Sequence, residues 1–148
     1  MAIEQFSGSM PMMLNRALDA VMPRFRKIFN DFDLTEQQGR VLRVLWERDS
    51  IAFHELSALT LIPPPSLVGV IDRLQKADLV KRRRSDSDRR KVSVHATEAG
   101  KELESQIMPR VASSYAELKQ TVDADSWTAA LQGLKQVVAA IEQQAAED

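Results

Sequence analysis

Residues 79–95 constrain the fold of this chain more than any other stretch. LVKRR and KVSVH have the strand-like character of apolar residues alternating with polar ones, and the polar SDSDR joins them, so a β-hairpin with a long tip is predicted. On both sides the apolar residues fall at helical spacing instead. The expected fold is therefore mainly α with a small β-hairpin, and the hairpin must pack on the helices that precede and follow it.

The same hairpin concentrates charge. Lys81 to Lys91 contains seven basic and two acidic residues, a local +5, whereas the whole chain of 148 residues carries 20 basic and 21 acidic residues and a net charge of −1. An otherwise acidic protein that gathers cations on one hairpin is suited to a polyanion at that place. A basic run by itself is more often a solvated surface, so its meaning depends on what lies beside it.

What lies beside it is helical. From Met12 to Phe32, Leu14, Leu18, Val21, Phe25, Ile28 and Phe32 alternate at four- and three-residue intervals, the spacing of a helix that packs on another helix, and Pro23 is expected to bend it. LTEQQGRVLRVLWE sets Thr35 three residues before Gln38, a capping-box start, with Val41, Leu42, Leu45 and Trp46 as the buried face. HELSALTL reads as a brief helix burying Leu56 and Leu59. PPPS is a stiff entry to a further helix over 64–77, because prolines are tolerated where the amides have no intrahelical partner. There Leu67, Val70, Ile71 and Leu74 share one side, with Ser66, Val68, Gly69, Asp72 and Arg73 largely on the other. Asp78 is expected to end this helix in a left-handed conformation.

After the hairpin, Thr97 and Glu98 open a long helix carrying Leu103, Ile107, Val111, Tyr115, Leu118 and Val122, with a kink expected at Pro109. A last helix from Asp125 or Ser126 carries Leu131, Leu134, Val138 and Ile141.

Two short helices followed by a basic hairpin make a winged helix-turn-helix. The second helix of such a pair can enter the major groove of duplex DNA, about 12 Å wide, while hairpin arginines reach phosphates or the minor groove.

Other classes fare worse. The chain has no cysteine, which excludes disulfides, thiolate metal sites and thiol-based sensing. Only two histidines occur, His54 and His95, and no metalloprotease, nucleophile-elbow or phosphate-loop motif is present, so neither an enzyme nor a metal or cofactor is expected. No apolar run approaches the ~18 residues of a membrane span, and MAIEQFSGSM lacks the pattern of a secretory leader. A cytoplasmic location without membrane association is the expectation. A winged-helix module that docks an acidic protein, or a non-specific DNA binder, remains the alternative; enrichment of a palindrome over random duplex discriminates between them.

LTEQQGRVLRVL, HELSALT, PPPSLVGVIDRLQKADLVKRR and DRRKVSVHATEAG together resemble the MarR family of bacterial transcription regulators, over nearly the whole chain. The first and third segments are similar to the subgroup of homoprotocatechuate-type regulators of aromatic-acid catabolism. The resemblance implies a winged helix-turn-helix over 34–97, with dimerisation helices over 1–33 and 98–148. It implies a homodimer reading half-sites of a palindromic operator with centres about 34 Å apart, typically as a repressor.

Carried onto this sequence, the recognition-helix positions facing DNA are Ser66, Val68, Gly69 and Arg73. In the wing, Arg90 would enter the minor groove and Asp88 would orient its guanidinium, although the bare-residue reading of that pair is a turn-stabilising surface contact. Arg82, Arg83, Arg84 and Arg89 would meet phosphate or stay solvated. The resemblance further implies release of DNA by a small phenolic or carboxylate effector, for which Arg16, Arg40 and His54 are candidate anion-binding groups and Met12 and Met13 an adaptable lining.

Three positions depart from the family pattern. Val68 and Gly69 stand where many members have Thr and Arg, which leaves base reading to thymine-methyl contact and groove shape. Asp78 stands where Gly is usual. Gly39 stands where a large residue is common, and opens either space for a ligand or a close helix packing.

Overall fold

A computed structural model describes residues 5–147. The leader reading at residues 1–4, and the outermost residues of the two expected dimerisation segments, lie outside the described residues. A 3₁₀ turn at Phe6–Gly8 precedes α1 (Met10–Asn30), α2 (Glu36–Glu47), β1 (Ile51–Ala52), α3 (Phe53–Thr60), α4 (Pro64–Lys76), β2 (Val80–Arg84), β3 (Val92–Ala96), α5 (Glu98–Val122) and α6 (Ala124–Glu147). Two compact units divide within α5, one reaching to Val111 and the other beginning at Ala112. Among the described residues no helix is long and apolar enough to cross a membrane.

In the first unit, α1 starts two residues earlier than its periodicity suggested and ends before Phe32, which lies in the following turn. Pro23 sits inside it. Only the C-terminal half of α1 is buried, through Phe25, Ile28 and Phe29; Leu14 and Leu18 stay exposed. Phe29 explains Gly39. A Cβ on Gly39 would fall 2.6 Å from the Phe29 ring, so the glycine serves close packing of α1 on α2 and opens no space for a ligand.

The capping box of α2 forms as its sequence requires: the Gln38 amide donates to Thr35 Oγ1 at 3.2 Å, and the Thr35 amide to Gln38 Oε1 at 2.8 Å. Trp46, expected in the buried face, is half-buried, and its indole N–H donates to the Gly100 carbonyl at 2.9 Å. An indole buried on all sides would lose that donor's partner unless the backbone supplied one, and α5 does.

The three strands form one antiparallel sheet in the order β1-β3-β2, with Ile51 opposite Val94 and Arg82 opposite Val94 on its other side. Val80, Val94 and Ala96 point into a core shared with Leu56, Leu67, Ile71, Leu74 and Ile107. Leu59, expected in this core, is 48% exposed, and Thr60 is fully buried instead. In so short a helix the inward stripe runs through Leu56 and Thr60, four residues apart. The threonine accepts that place because its hydroxyl donates to the Leu56 carbonyl at 2.7 Å.

Where the hairpin leads into α5, Thr97 closes two ends at once. Its Oγ1 donates to the Asp78 carbonyl at 2.6 Å and accepts from the Gly100 amide at 3.1 Å. Gly100 is buried against the α4–β2 connection, and a Cβ there would overlap the Leu79 carbonyl oxygen. Asp78 is left-handed as expected, with φ 57°.

In the second unit, the end of α5 and α6 meet at Asp123, which is left-handed at φ 74°. Its carboxylate accepts from both the Ser126 amide and hydroxyl at 2.8 Å, and these bonds hold the carboxyl below its ordinary range. Tyr115 and Trp127 pack edge to face with centroids 6.3 Å apart. No residue of α6 is buried: Leu131, Leu134, Val138 and Ile141 are 41–62% exposed.

Candidate nucleic-acid interface

α3, a three-residue turn and α4 form the helix-turn-helix. The turn begins at Leu61, whose φ of 55° puts a γ-branched side chain in the left-handed region, where L-residues other than Gly, Asn and Asp are strained. Ser57 Oγ donates to the Ile62 carbonyl at 2.7 Å, and Arg40 Nη1 donates to the Thr60 carbonyl at 2.8 Å, so both sides of the turn are fixed. Pro63, Pro64 and Pro65 then launch α4, with the first intrahelical bond running from the Leu67 amide to the Pro63 carbonyl at 2.9 Å.

The inner side of α4 is as its spacing dictates: Leu67, Val70, Ile71 and Leu74 are buried. Ser66, Val68 and Arg73 are exposed, and Gly69 is partly so, with nothing within 4 Å of where a Cβ would project. One outer stripe thus carries Ser66, Gly69 and Arg73, and the adjacent one Val68, Asp72 and Gln75. The donors offered on the first are a hydroxyl and one guanidinium; glycine between them leaves a gap.

The hairpin does not present its cations as one cluster. Strand alternation puts Arg82 and Arg84 on the same side as the buried Val80, and Lys81 and Arg83 on the opposite side beside their cross-strand partners His95 and Ser93. On that outer side, burial first, then the charges of Arg83, Lys81 and Lys101, lower the His95 pKa from its ordinary value. His95 is therefore neutral near pH 7.

On the inner side a cleft of about 670 Å³ opens, lined by Ala52, Phe53, His54, Val68, Val92, Arg82, Arg84, Arg90 and Lys91. Val68 comes from α4, Ala52 from β1, Phe53 and His54 from α3, and the four cations and Val92 from the hairpin. Lys91 belongs to the cleft although it was not singled out among the sequence candidates; its place immediately before β3, at the end of the basic run, was the available signal.

The tip, 85–91, is held by its own bonds. The Ser85 amide donates to the Lys91 carbonyl and the Lys91 amide to the Asp88 carbonyl, both at 3.0 Å. Asp88 Oδ1 accepts from the backbone amide of Arg90 at 3.0 Å, not from its guanidinium. The acid shapes the turn, and the Arg90 side chain points from it exposed. Arg89 is also exposed.

Arg82 behaves differently from the other wing arginines. Its Nη1 donates to Gln75 Oε1 at 2.8 Å and its Nη2 to Asp72 Oδ1 at 2.6 Å, so it is bonded to α4.

The five effector candidates do not line one cleft. His54 lines the wing cleft, and Met12, Met13, Arg16 and Arg40 are not among the residues that line it. Arg40 is bonded to Glu36 as well as to Thr60. Arg16 and Met13 are exposed and Met12 half-buried on α1.

With this geometry in place, the comparisons with known proteins are direct. The MarR family model matches residues 34–92, from just before α2 to the first residue of β3. The HTH-type transcriptional regulator FarR of Neisseria gonorrhoeae is 35% identical over 109 residues, 74% of this chain and 75% of its own. The homoprotocatechuate degradative operon repressor of Escherichia coli is 32% identical over 117 residues, 79% of each chain. The crystal structure of NadR in complex with 4-hydroxyphenylacetate superposes with a TM-score of 0.76 at 30% identity, covering 95% of this chain and 97% of that one. A helix-turn-helix joined to a basic antiparallel wing, and sequence identity sustained well beyond that lobe, establish that the chain belongs to the MarR family of transcriptional regulators.

Proposed function

We propose that this chain is a sequence-specific double-stranded-DNA-binding repressor that acts as a homodimer on a palindromic operator and is released by a small aromatic or carboxylate effector. The observation that carries the DNA reading is the placement of Arg84, Arg90 and Lys91 around a cleft that Val68, on the outer face of α4, also lines. Phosphate supplies most of the affinity in such an interface, and the base-facing positions set register and preference. Ser66, Val68, Gly69 and Arg73 meet the major groove, Val68 by apolar contact with a thymine methyl. Arg90 reaches the minor groove from a tip that Asp88 shapes. Arg84 and Arg89 meet phosphate, and Arg83 reaches it only where the duplex wraps the outer side of the hairpin.

The dimer reading draws on the exposed apolar rows, Leu131, Leu134, Val138 and Ile141 on α6 and Met10, Met13, Leu14 and Leu18 on α1. Isolated apolar surface residues are ordinary, but rows at helical spacing on terminal helices are suited to a second copy. The chain then divides into dimerisation helices over 1–33 and 98–148 and a DNA-binding lobe over 34–97. Its work is cytoplasmic and non-catalytic.

The effector reading rests on relatives: an operon repressor of homoprotocatechuate degradation and a structure holding 4-hydroxyphenylacetate. For this chain we place the anion near Arg16, with Met12 and Met13 as apolar lining. Arg40 is already satisfied by Glu36 and Thr60, and His54 faces the wing cleft, which makes these two weaker members of the set.

Selection of bound sequences from random duplex at near-physiological salt tests the reading. An enriched palindrome with half-site centres about 10 bp apart supports it. Weak, salt-sensitive binding without preference would mean that Val68 and Gly69 leave too little to read bases, and that the protein is a non-specific binder. No binding to duplex at all would favour a protein-docking winged helix.

A further inference from the structure

We infer that Arg82 is a positioning residue, which locks the wing to the recognition helix through Asp72 and Gln75 and does not itself bind phosphate. The inference rests on the DNA-binding reading above and assigns one of its cations a different task.

Three acceptors on α4 converge on one guanidinium. Nη2 reaches Asp72 Oδ1 at 2.6 Å, Nη1 reaches Gln75 Oε1 at 2.8 Å, and the Val68 carbonyl lies 3.4 Å from Nη2. Residues 68, 72 and 75 form a single stripe along the helix, so the planar fork of Arg82 lies along two turns of it. Only 29% of the Arg82 side chain remains accessible. On the strand side, Arg82 pairs with the fully buried Val94. Its backbone is therefore fixed to the core while its side chain grips α4.

Asp72 points the same way. A carboxylate half-exposed on the helix that faces a polyanion repels phosphate, so it weakens binding unless it does something else there. Here it neutralises and orients Arg82. The clamp joins the two elements that must enter successive grooves together, and Val68, one of the base-facing positions, lies on the gripped stripe.

The test uses the full chain and its selected operator. Affinity is measured over a salt series for the wild type, Arg82→Gln, Arg82→Lys, Asp72→Asn and, as the proposed contact, Arg90→Gln. A phosphate contact lowers the salt slope by about 1 when it is lost, and weakens operator and random duplex alike. Removing a positioning residue should weaken operator binding about three- to thirtyfold with the slope unchanged and random duplex little affected. Asp72→Asn is the sharper variant, because removing a negative charge should tighten DNA binding on electrostatic grounds alone. The clamp requires that it weaken operator binding as Arg82→Gln does, and that the double substitution be no worse than Arg82→Gln. Arg82→Lys, with no fork, should not restore full affinity.

A slope reduced by about 1 in Arg82→Gln, or operator affinity in Asp72→Asn equal to or above wild type, would overturn the inference. Amide hydrogen exchange without DNA separates it from the function reading. Both clamp variants should speed exchange across the wing tip, and Arg90→Gln should not. Unchanged exchange in both overturns the clamp, even if no operator is found. Should Arg82→Gln fail to fold, the exposed Asp72→Asn decides alone.

Discussion

The DNA-binding lobe and α6 meet the demand to bury apolar surface in opposite ways. In the lobe, Leu42, Leu56, Leu67, Ile71 and Leu74 have no accessible surface, and even glycines are fitted to its packing, Gly39 under the Phe29 ring and, where α5 packs on it, Gly100 against Leu79. In α6 nothing is buried, and its leucines and its isoleucine face outward along one length of helix. A lobe that closes its own core tolerates little change in shape. A helix that leaves its apolar row open depends on what covers it. The first region should therefore respond to substitution through folding and the second through association.

Gly100→Ala should break the lobe. The added methyl meets a backbone oxygen that cannot swing away, so α5 must shift and the Trp46 indole bond must change with it. The expected loss exceeds about 4 kcal/mol in chemical denaturation, at the far end of single-site effects. A loss below about 1 kcal/mol would mean that α5 slides freely over the α4–β2 connection.

Leu134→Asp with Val138→Asp should spare folding and weaken self-association by at least about a hundredfold, as expected when apolar anchors at an interface centre become charges. Far-ultraviolet circular dichroism measures the first and sedimentation the second. If the chain remained fully dimeric, α6 would have no part in the interface. If helicity collapsed, the contrast between the two regions would fail.

The smallest effect sharpens the comparison from inside the lobe. Leu61 is 83% exposed and left-handed, the one place in the helix-turn-helix where an apolar residue is neither buried nor relaxed. Leu61→Gly should raise stability by about 0.5–1 kcal/mol, because the relief of backbone strain exceeds the entropy that glycine loses on folding. A loss instead would show that the exposed side chain packs on something in the assembled protein, and thermal denaturation at several protein concentrations would reveal it.

Much of the lobe was legible because local rules agree with one another there. The capping box at Thr35 and Gln38, the proline entry to α4, its four buried residues and left-handed Asp78 each follow from short-range sterics or hydrogen bonding. Misreadings occurred where one particular hydrogen bond, local or distant, decided. Leu59 yielded its inward place to Thr60 because a hydroxyl found a carbonyl. Trp46 stopped at half-burial because its N–H found α5. Within the candidate site, the basic run was evident, but strand alternation divides it, turning Arg82 and Arg84 inward and Lys81 and Arg83 outward. Asp88, expected at the Arg90 guanidinium, accepts from the Arg90 backbone amide.

The sequence by itself determined the helices and the two hairpin strands but not the two-residue β1, as well as where the cations gather, which side of α4 is apolar and that no thiol chemistry is available, since each depends on residue type and spacing along a few turns of chain. Only the tertiary structure decided why Gly39 and Gly100 must be glycine and that Asp72 pairs with Arg82. It also decided which wing arginine is held by α4. Those answers depend on groups that meet across seven or more residues of chain, and spacing along the chain does not encode such meetings.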